Sequence, residues 1–390
     1  MKKSAFIFPK DQIYLCGHSL GPATYAAQNK INESLQEWIS QGVSGWNTSR
    51  WMELSYDISS KIAKLIGAKF NEVCVGDSTS VNLFKVLYSA YSLNSQRKII
   101  LTDQENFPTD LYIAQGLRQI NPKLSLHCVP PEAMLEAMNE HVGVLLLTHV
   151  NYRSGAIYDM ASIMQRAQAL GIRVIWDLSH STGIVPIDLG AYEVDFAVGC
   201  TYKYLNGGPG APSYIYINQK HHPHVHSPIT GWMGHQDPFA FEKAYRPAQH
   251  AAKYLVGTPY IFSLAALEGA LNVYKDLDIT LVRQKSMRLS ETFRKIMMQQ
   301  VPSLECQSPL DPQRRGGHIA YGHPQAYAIS RALIAKGVIC DYREHGLLRF
   351  CLNPLYISLT EIKESSNIIG EILRHELYRL PVYHEKRRVT

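Results

Sequence analysis

The sequence predicts an α/β fold, with a mostly parallel seven-stranded sheet in a large domain and a small α+β domain beside it. Three observations predict it. Short apolar runs alternate with helix-like segments from about residue 60 to 220. Most of the runs are continuous, as in strands buried on both faces. The chain has 390 residues, more than one ordinary domain needs and enough for a large and a small one.

In chain order the strand candidates are EVCVG (72–76), KIILT (98–102), LSLHCV (124–129), VGVLLLT (142–148), IRVIWD (172–177), DFAVGC (195–200) and PSYIYI (212–217). Helical patterns lie between several of them, such as SVNLFKVLYSAYSL (80–93) and ASIMQRAQALG (161–171). In the second, Gly171 is a helix stop with the next strand immediately after it. Such βα alternation produces a parallel sheet with helices on both faces. The ends of the chain differ. Residues 22–41 and 262–300 read as helical. Around 315–350, HIAYGH, GVICDYRE and LLRFCL carry strand signals, with a helix (QAYAISRALIAKG) between the first two. The expected division is therefore 46–280 for the large domain, and 1–45 with 281–390 for the small one.

Hydrophobic residues make up 46% of the chain and charged residues 18%, below the usual quarter. A surface this poor in charge suits an oligomer. The net charge is +6, and the only basic run is Lys386, Arg387 and Arg388, which reads as a solvated tail. No basic stripe marks a nucleic-acid partner. Seven cysteines, widely spaced and without CxxC, read as free thiols of a reducing compartment. The N-terminus MKKSAFIFPKDQ lacks a secretory apolar region, and no run is long enough to span a membrane. A cytoplasmic protein is expected.

Ligands of open parallel sheets bind at the carboxyl ends of the strands. The polar residues just after each strand candidate are therefore the site candidates. They are Asp77-Ser78-Thr79-Ser80, then Phe107 to Asp110, Thr148 and His149, Asp177 with His180, and Thr201-Tyr202-Lys203. The first stretch has N-cap composition, and equally that of a helix start that binds phosphate. Asp177 ends an apolar run, so it either caps the next segment or accepts from a buried cationic nitrogen. Lys203 follows an apolar strand, lies between two tyrosines and precedes a glycine-rich turn, a setting suited to a Schiff-base lysine. Lysine, acid and phosphate cup together are the parts list for pyridoxal phosphate (PLP). The histidine run 221–226 is broken by Pro223 and lacks ordered ligand spacing, so it reads as a polar loop and no metal is expected. GxGxxG and GK[ST] are absent, which disfavours dinucleotide and Walker-type binding.

WDLSHSTGIVPIDLGAYEVDFAVGCTYKYLNGGPGAP (176–212) closely resembles the corresponding region of kynureninases, class-V-aminotransferase-like PLP enzymes of the aspartate-aminotransferase (type I) fold. The likeness extends over CGHSLGP (16–22), DSTSVNLFK (77–85), NFPTD (106–110), HVNYRSGAIYDM (149–160), GWMGHQDPFAF (231–241), VGTP (256–259) and LLRFCLNPLY (347–356). It implies Lys203 as the Schiff-base lysine and Asp177 as partner of the pyridine nitrogen. Phe107 stacks on the ring with Asp110 nearby. Thr79, Ser80, Tyr202 and Trp232 contact the phosphate. His180 and Thr148 contact the other substituents. It also implies Thr258 from a neighbouring subunit, a homodimer with its site at the interface, and Arg349 on the substrate α-carboxylate. Tyr202 is the candidate proton relay, and 40–51 should shape the aromatic pocket. The implied reaction is hydrolysis of L-kynurenine or its 3-hydroxy form to anthranilate or 3-hydroxyanthranilate and L-alanine, in tryptophan degradation. The rivals are a cysteine desulfurase or aminotransferase of the same fold, and a non-catalytic PLP-fold binding protein.

Overall fold

The computed structural model describes residues 2–386, so Arg387 and Arg388 of the basic run lie outside the described residues. Its centre is a seven-stranded sheet. The strands are β1 (Val73–Val75), β2 (Ile99–Asp103), β3 (Ser125–Val129), β4 (Val142–Thr148), β5 (Arg173–Asp177), β6 (Phe196–Gly199) and β7 (Tyr214–Ile217), in the spatial order β1-β7-β6-β5-β4-β2-β3. Each expected strand is present, with ends moved by a residue or two. Pairings from β3 across to β6 are parallel. Strand β7 runs antiparallel to both β6 and β1. β1 therefore ends at the same edge as β6.

Alternate side chains of each strand enter opposite cores, because successive strand residues point to opposite faces. Val144 and Leu146 pack with Leu83, Val86 and Leu117 of the helices Thr79–Leu93 and Pro108–Ile120. Leu145 and Leu147 pack with Ile58, Ile163 and Leu264 of the helices Leu54–Leu65, Met160–Leu170 and Ile261–Ala270. The result is a three-layer α/β/α unit. We label the longer helices in chain order α1 (Tyr25–Gln41), α2 (Leu54–Leu65), α3 (Thr79–Leu93), α4 (Pro108–Ile120), α5 (Met160–Leu170), α6 (Ile261–Ala270), α7 (Ile279–Gln300), α8 (Ala326–Ala335) and α9 (Leu359–Arg374). Gly171 ends α5 in the left-handed conformation, as the sequence predicts.

A second sheet of four antiparallel strands, β8 (Glu305–Cys306), β9 (His318–Gly322), β10 (Asp341–Arg343) and β11 (Leu347–Cys351), has the order β8-β9-β11-β10. The pattern read over 262–300 as one helical stretch is two helices, α6 and α7, joined through a short 3-10 turn. GVICDYRE is likewise two pieces. Val338–Ile339 pairs in parallel with Ile13–Tyr14, while Asp341–Arg343 joins the four-stranded sheet. No helix among the described residues is long and apolar enough to cross a membrane.

Candidate active site

Strand β6 ends at Gly199 and the chain turns at once, so Lys203 lies just beyond the carboxyl edge of the sheet. Its side chain is enclosed. Lys203 Nζ stands 3.4 Å from Nδ1 of His180, 5.8 Å from the Phe107 ring centre and 5.6 Å from that of Tyr202. The N-terminal motif CGHSLGP packs against this turn. The Gly21 N–H donates to the Tyr202 carbonyl at 2.8 Å. A Cβ at Gly21 would sit 2.1 Å from the Lys203 carbonyl oxygen, so only glycine fits there. After Lys203, Gly208 and Gly210 both have positive φ, and the glycine-rich stretch turns the chain back into β7.

Asp177 is the last residue of β5, the strand beside β6, where it pairs with Val198. Its Oδ1 accepts the Ser179 N–H at 2.7 Å. Burial raises its proton affinity, and the Lys203 charge pulls it back. Asp110, in the first turn of α4, is raised well above the carboxylate range by burial and then by the Asp177 charge. Thr148, at the end of β4, donates to Asn106 and lies 3.4 Å from Asp110 Oδ2. Burial, then the Lys203 charge and His318, hold His180 well below the ordinary imidazole range, so it is neutral. The space thus holds the Asp177 carboxyl beside the Lys203 amine, with Asp110 held toward its neutral acid form. A buried carboxylate at Asp177 would accept from a pyridinium N–H⁺.

Ser78 caps α3 by accepting the Val81 N–H at 3.3 Å. That satisfies one N–H and leaves the helix start at Thr79 and Ser80 for an anion. The capping reading of the DSTS stretch is therefore met by Ser78. Across the sheet edge, Phe107 caps α4 with its ring 37% exposed and edge-on to Tyr152 at 5.1 Å.

Lys203, His180, Tyr202, Phe107, Asp177, Asp110 and Thr148 come together in one chain. Thr258 lines a separate cleft with Gly76, Asp77 and Tyr260, beside the bend before Thr79. Trp232 packs on Phe239 near the surface, with ring centres 5.6 Å apart. In 40–51, Trp46 and Trp51 pack edge to face, and Trp51 Nε1 donates to Glu37 at 2.8 Å. Arg349, on β11, is fully buried and bonded to Asp341. The residue reading by strand ends passes over Asp341, His18, His318 and Lys85. The hairpin offered one signal: GVICDYRE and LLRFCL flank a Gly346 turn, which sets Asp341 opposite Arg349. The histidine run is structural where it is buried. His221 bonds Asp195 at 2.6 Å, and His222 bonds the Ile217 carbonyl at 3.0 Å.

A buried lysine and a buried acid at the carboxyl ends of adjacent parallel strands, with a helix start two strands away at the same edge, define a pyridoxal-phosphate-dependent enzyme of the type I fold. Solved structures share this fold. A cystine C–S lyase in complex with its product cysteine persulfide superposes with a TM-score of 0.83, covering 93% of this chain and 98% of that one at 17% identity. The apo cysteine desulfurase of Thermococcus onnurineus NA1 superposes with a TM-score of 0.80, covering 94% and 95% at 17% identity. Residues 282–369 match the kynureninase C-terminal domain. The kynureninase of Deinococcus radiodurans is 41% identical over 381 residues, 95% of this chain and 92% of that protein. That of Pseudomonas fluorescens is 39% identical over 397 residues, 100% of this chain and 95% of the other. The chain belongs to the kynureninase family, and its cofactor is pyridoxal phosphate.

Proposed function

We propose that this chain hydrolyses L-kynurenine or 3-hydroxy-L-kynurenine to anthranilate or 3-hydroxyanthranilate and L-alanine, within tryptophan degradation, using Lys203, Tyr202 and Asp177. The observation that carries the proposal is the placement of Lys203. Among the buried lysines, Lys85 and Lys253 are tied to backbone carbonyls, whereas Lys203 faces His180, Phe107 and Tyr202.

Bound pyridoxal phosphate supplies an aldehyde for the substrate amine and a ring that accepts electrons from Cα. Thr79, Ser80, Tyr202 and Trp232, with Thr258 of a neighbouring copy, would hold the phosphate. Asp177 would accept from the pyridine N–H and keep it protonated. Phe107 would stack on the ring with Asp110 near it, and His180 and Thr148 would contact its remaining substituents. Lys203 would hold the aldehyde of the bound cofactor, and its amine, once free, would take the Cα proton of the substrate. Burial raises the Tyr202 phenol, which therefore stays protonated and can donate to the γ-carbonyl oxygen as water adds at Cγ. The Cβ–Cγ bond then breaks. Cγ leaves in the carboxyl group of anthranilate, Cβ takes a proton, Cα regains the one that was removed, and L-alanine results. Arg349 holds the α-carboxylate through paired hydrogen bonds. Residues 40–51 shape the pocket for the aromatic ring.

The desulfurase alternative needs an accessible thiol of low pKa. Cys340 and Cys351 are buried, and burial pushes the Cys351 thiol up to about 12. The active assembly in this proposal is a homodimer. Tyr260 and Phe262, just after Thr258, are exposed, as is Trp38, whose ring lies against that of Phe262. The division into residues 46–280 and 1–45 with 281–390 belongs to the same proposal. The pairing of Ile13–Tyr14 with Val338–Ile339 supports it. A cytoplasmic location is supported by seven free cysteines. The test is to add each kynurenine to the yellow holoenzyme and follow anthranilate fluorescence. Amino-group transfer to a keto acid without anthranilate release would overturn the proposal.

A further inference from the structure

The guanidinium of Arg349 is already heavily committed. Asp341 faces it directly across the β10–β11 hairpin. The carboxylate takes one edge of the guanidinium, accepting Nε at 2.9 Å and also Nη2. Nη1 donates to the Tyr152 carbonyl at 2.5 Å. Guanidinium carries five N–H groups. Three are spent here, and two remain, the number a carboxylate takes in a bidentate pair.

Asp341 is itself held from behind. His18 Nε2 lies 3.2 Å from its Oδ1, and Arg343 reaches its Oδ2 at 3.0 Å. His18 is wholly buried and stacks on His318, with ring centres 4.9 Å apart and planes 16° apart, so its ring has little room to swing. Burial pushes His18 down to about 4, so the ring is neutral near pH 7. A neutral ring carries one proton, and the carboxylate beside Nε2 places it there, so Nε2 donates to Asp341. Without His18, Oδ1 would be held by Arg349 alone, and the half-buried Arg343 would draw the carboxylate the other way.

We propose that His18 and Asp341 are positioning residues for the substrate carboxylate: Asp341 fixes the plane of Arg349, and His18 fixes Asp341. The proposal rests on Arg349 being the carboxylate-binding residue. Neither positioning residue touches substrate. Both act by pre-organising a side chain that would otherwise be ordered only on binding.

The test uses the holoenzyme and two small amines, L-alanine and ethylamine, which differ by the carboxylate. Binding is read from the cofactor absorbance. His18→Ala is expected to weaken L-alanine by about tenfold, the effect of one hydrogen bond to a charged group, while ethylamine shifts by less than about twofold. His18→Gln, which keeps a donor near the Nε2 position, should restore most of the loss. Asp341→Asn should weaken L-alanine at least as much as His18→Ala. If that variant does not fold, the Ala and Gln pair at position 18 decides alone. Arg349→Ala is the control for the underlying reading. If it erases the preference for L-alanine but His18→Ala leaves that preference intact, or weakens both ligands equally, the positioning role is overturned and the Arg349 reading stands. If Arg349→Ala keeps the preference, the Arg349 reading fails and the positioning role falls with it.

Discussion

The Lys85 ammonium lies 2.5 Å from the Asp77 carboxylate, joining the second turn of α3 to the bend from which the helix starts. Asp77 has φ of +52, a left-handed conformation that costs a non-glycine residue energy unless its surroundings hold it. Here they do. Lys85 also donates to the Tyr254 carbonyl at 2.8 Å, and Asn82 Nδ2 donates to the Gly76 carbonyl at 2.8 Å. A buried cation thus braces the bend that sets the helix start at Thr79 and Ser80.

Lys85→Met should destabilise the protein by about 3 kcal/mol, because it leaves Asp77 without its charge partner. It should also weaken cofactor retention, since the bend that aims the α3 N-terminus relaxes. Urea unfolding and dialysis against buffer lacking the cofactor measure the two effects. Adding Asp77→Asn to the variant should recover part of the stability. Fully additive losses would show that the two side chains are not coupled.

Lys203→Ala should remove both covalent attachment and turnover. Borohydride treatment of the wild-type holoenzyme should leave the cofactor bonded to the peptide carrying Lys203, detectable by mass spectrometry. The variant should show no such adduct and lose more than about 10³-fold in rate. An adduct on another lysine in the wild type would remove the assignment.

Stability should fall as pH drops from about 6.5 toward 4. Burial pushes His18 and His149 down to about 4 from the ordinary value near 6.5. The folded value is the lower one, so the unfolded chain binds these protons first. The stabilisation is complete above 6.5 and is lost as pH falls to the folded value, by about 3 kcal/mol for each histidine. Asp110 carries the opposite slope, because burial and then the Asp177 charge raise it. Comparing His149→Gln with wild type separates the terms. The variant's urea midpoint should depend less steeply on pH across this window, and an unchanged slope would contradict the assignment.

If Thr258 completes the site of a neighbouring copy, two inactive variants should rescue each other. Lys203→Ala and Thr258→Glu, mixed and allowed to exchange subunits, would form hybrid dimers with one doubly altered site and one intact site. Random assortment then returns about a quarter of the wild-type sites. Activity that stays at the level of the separate variants would place Thr258 in its own subunit's site.

Much of this architecture was legible in the sequence. The strands of the large sheet are short apolar runs bounded by polar breaks, and a strand buried on both faces has no other pattern available. The polar residues beyond β4, β5 and β6 stood out for the same reason. Asp177 and Lys203 interrupt apolar sequence, and a charge there requires a partner or a function. Three helices, α2, α4 and α9, were less visible. Each is amphipathic, and an isolated helix of that length is marginal until a neighbour covers its apolar face. Lys85 was the least legible of the buried charges. It lies within the apolar face of α3, and its partners come from a bend eight residues back and a carbonyl 169 residues away.

The sequence by itself determined the sheet, its sidedness and the edge where the chemistry collects, because burial periodicity is a local property of the chain. Tertiary structure alone decided how the site's charges are held. His18 and Asp341 are 323 residues apart and meet only when the N-terminal segment packs along the four-stranded sheet. Arg349 could be read as a carboxylate-binding arginine from its motif, but the carboxylate that holds its plane could not. Which buried charges meet depends on the docking of distant elements, and no local pattern records that.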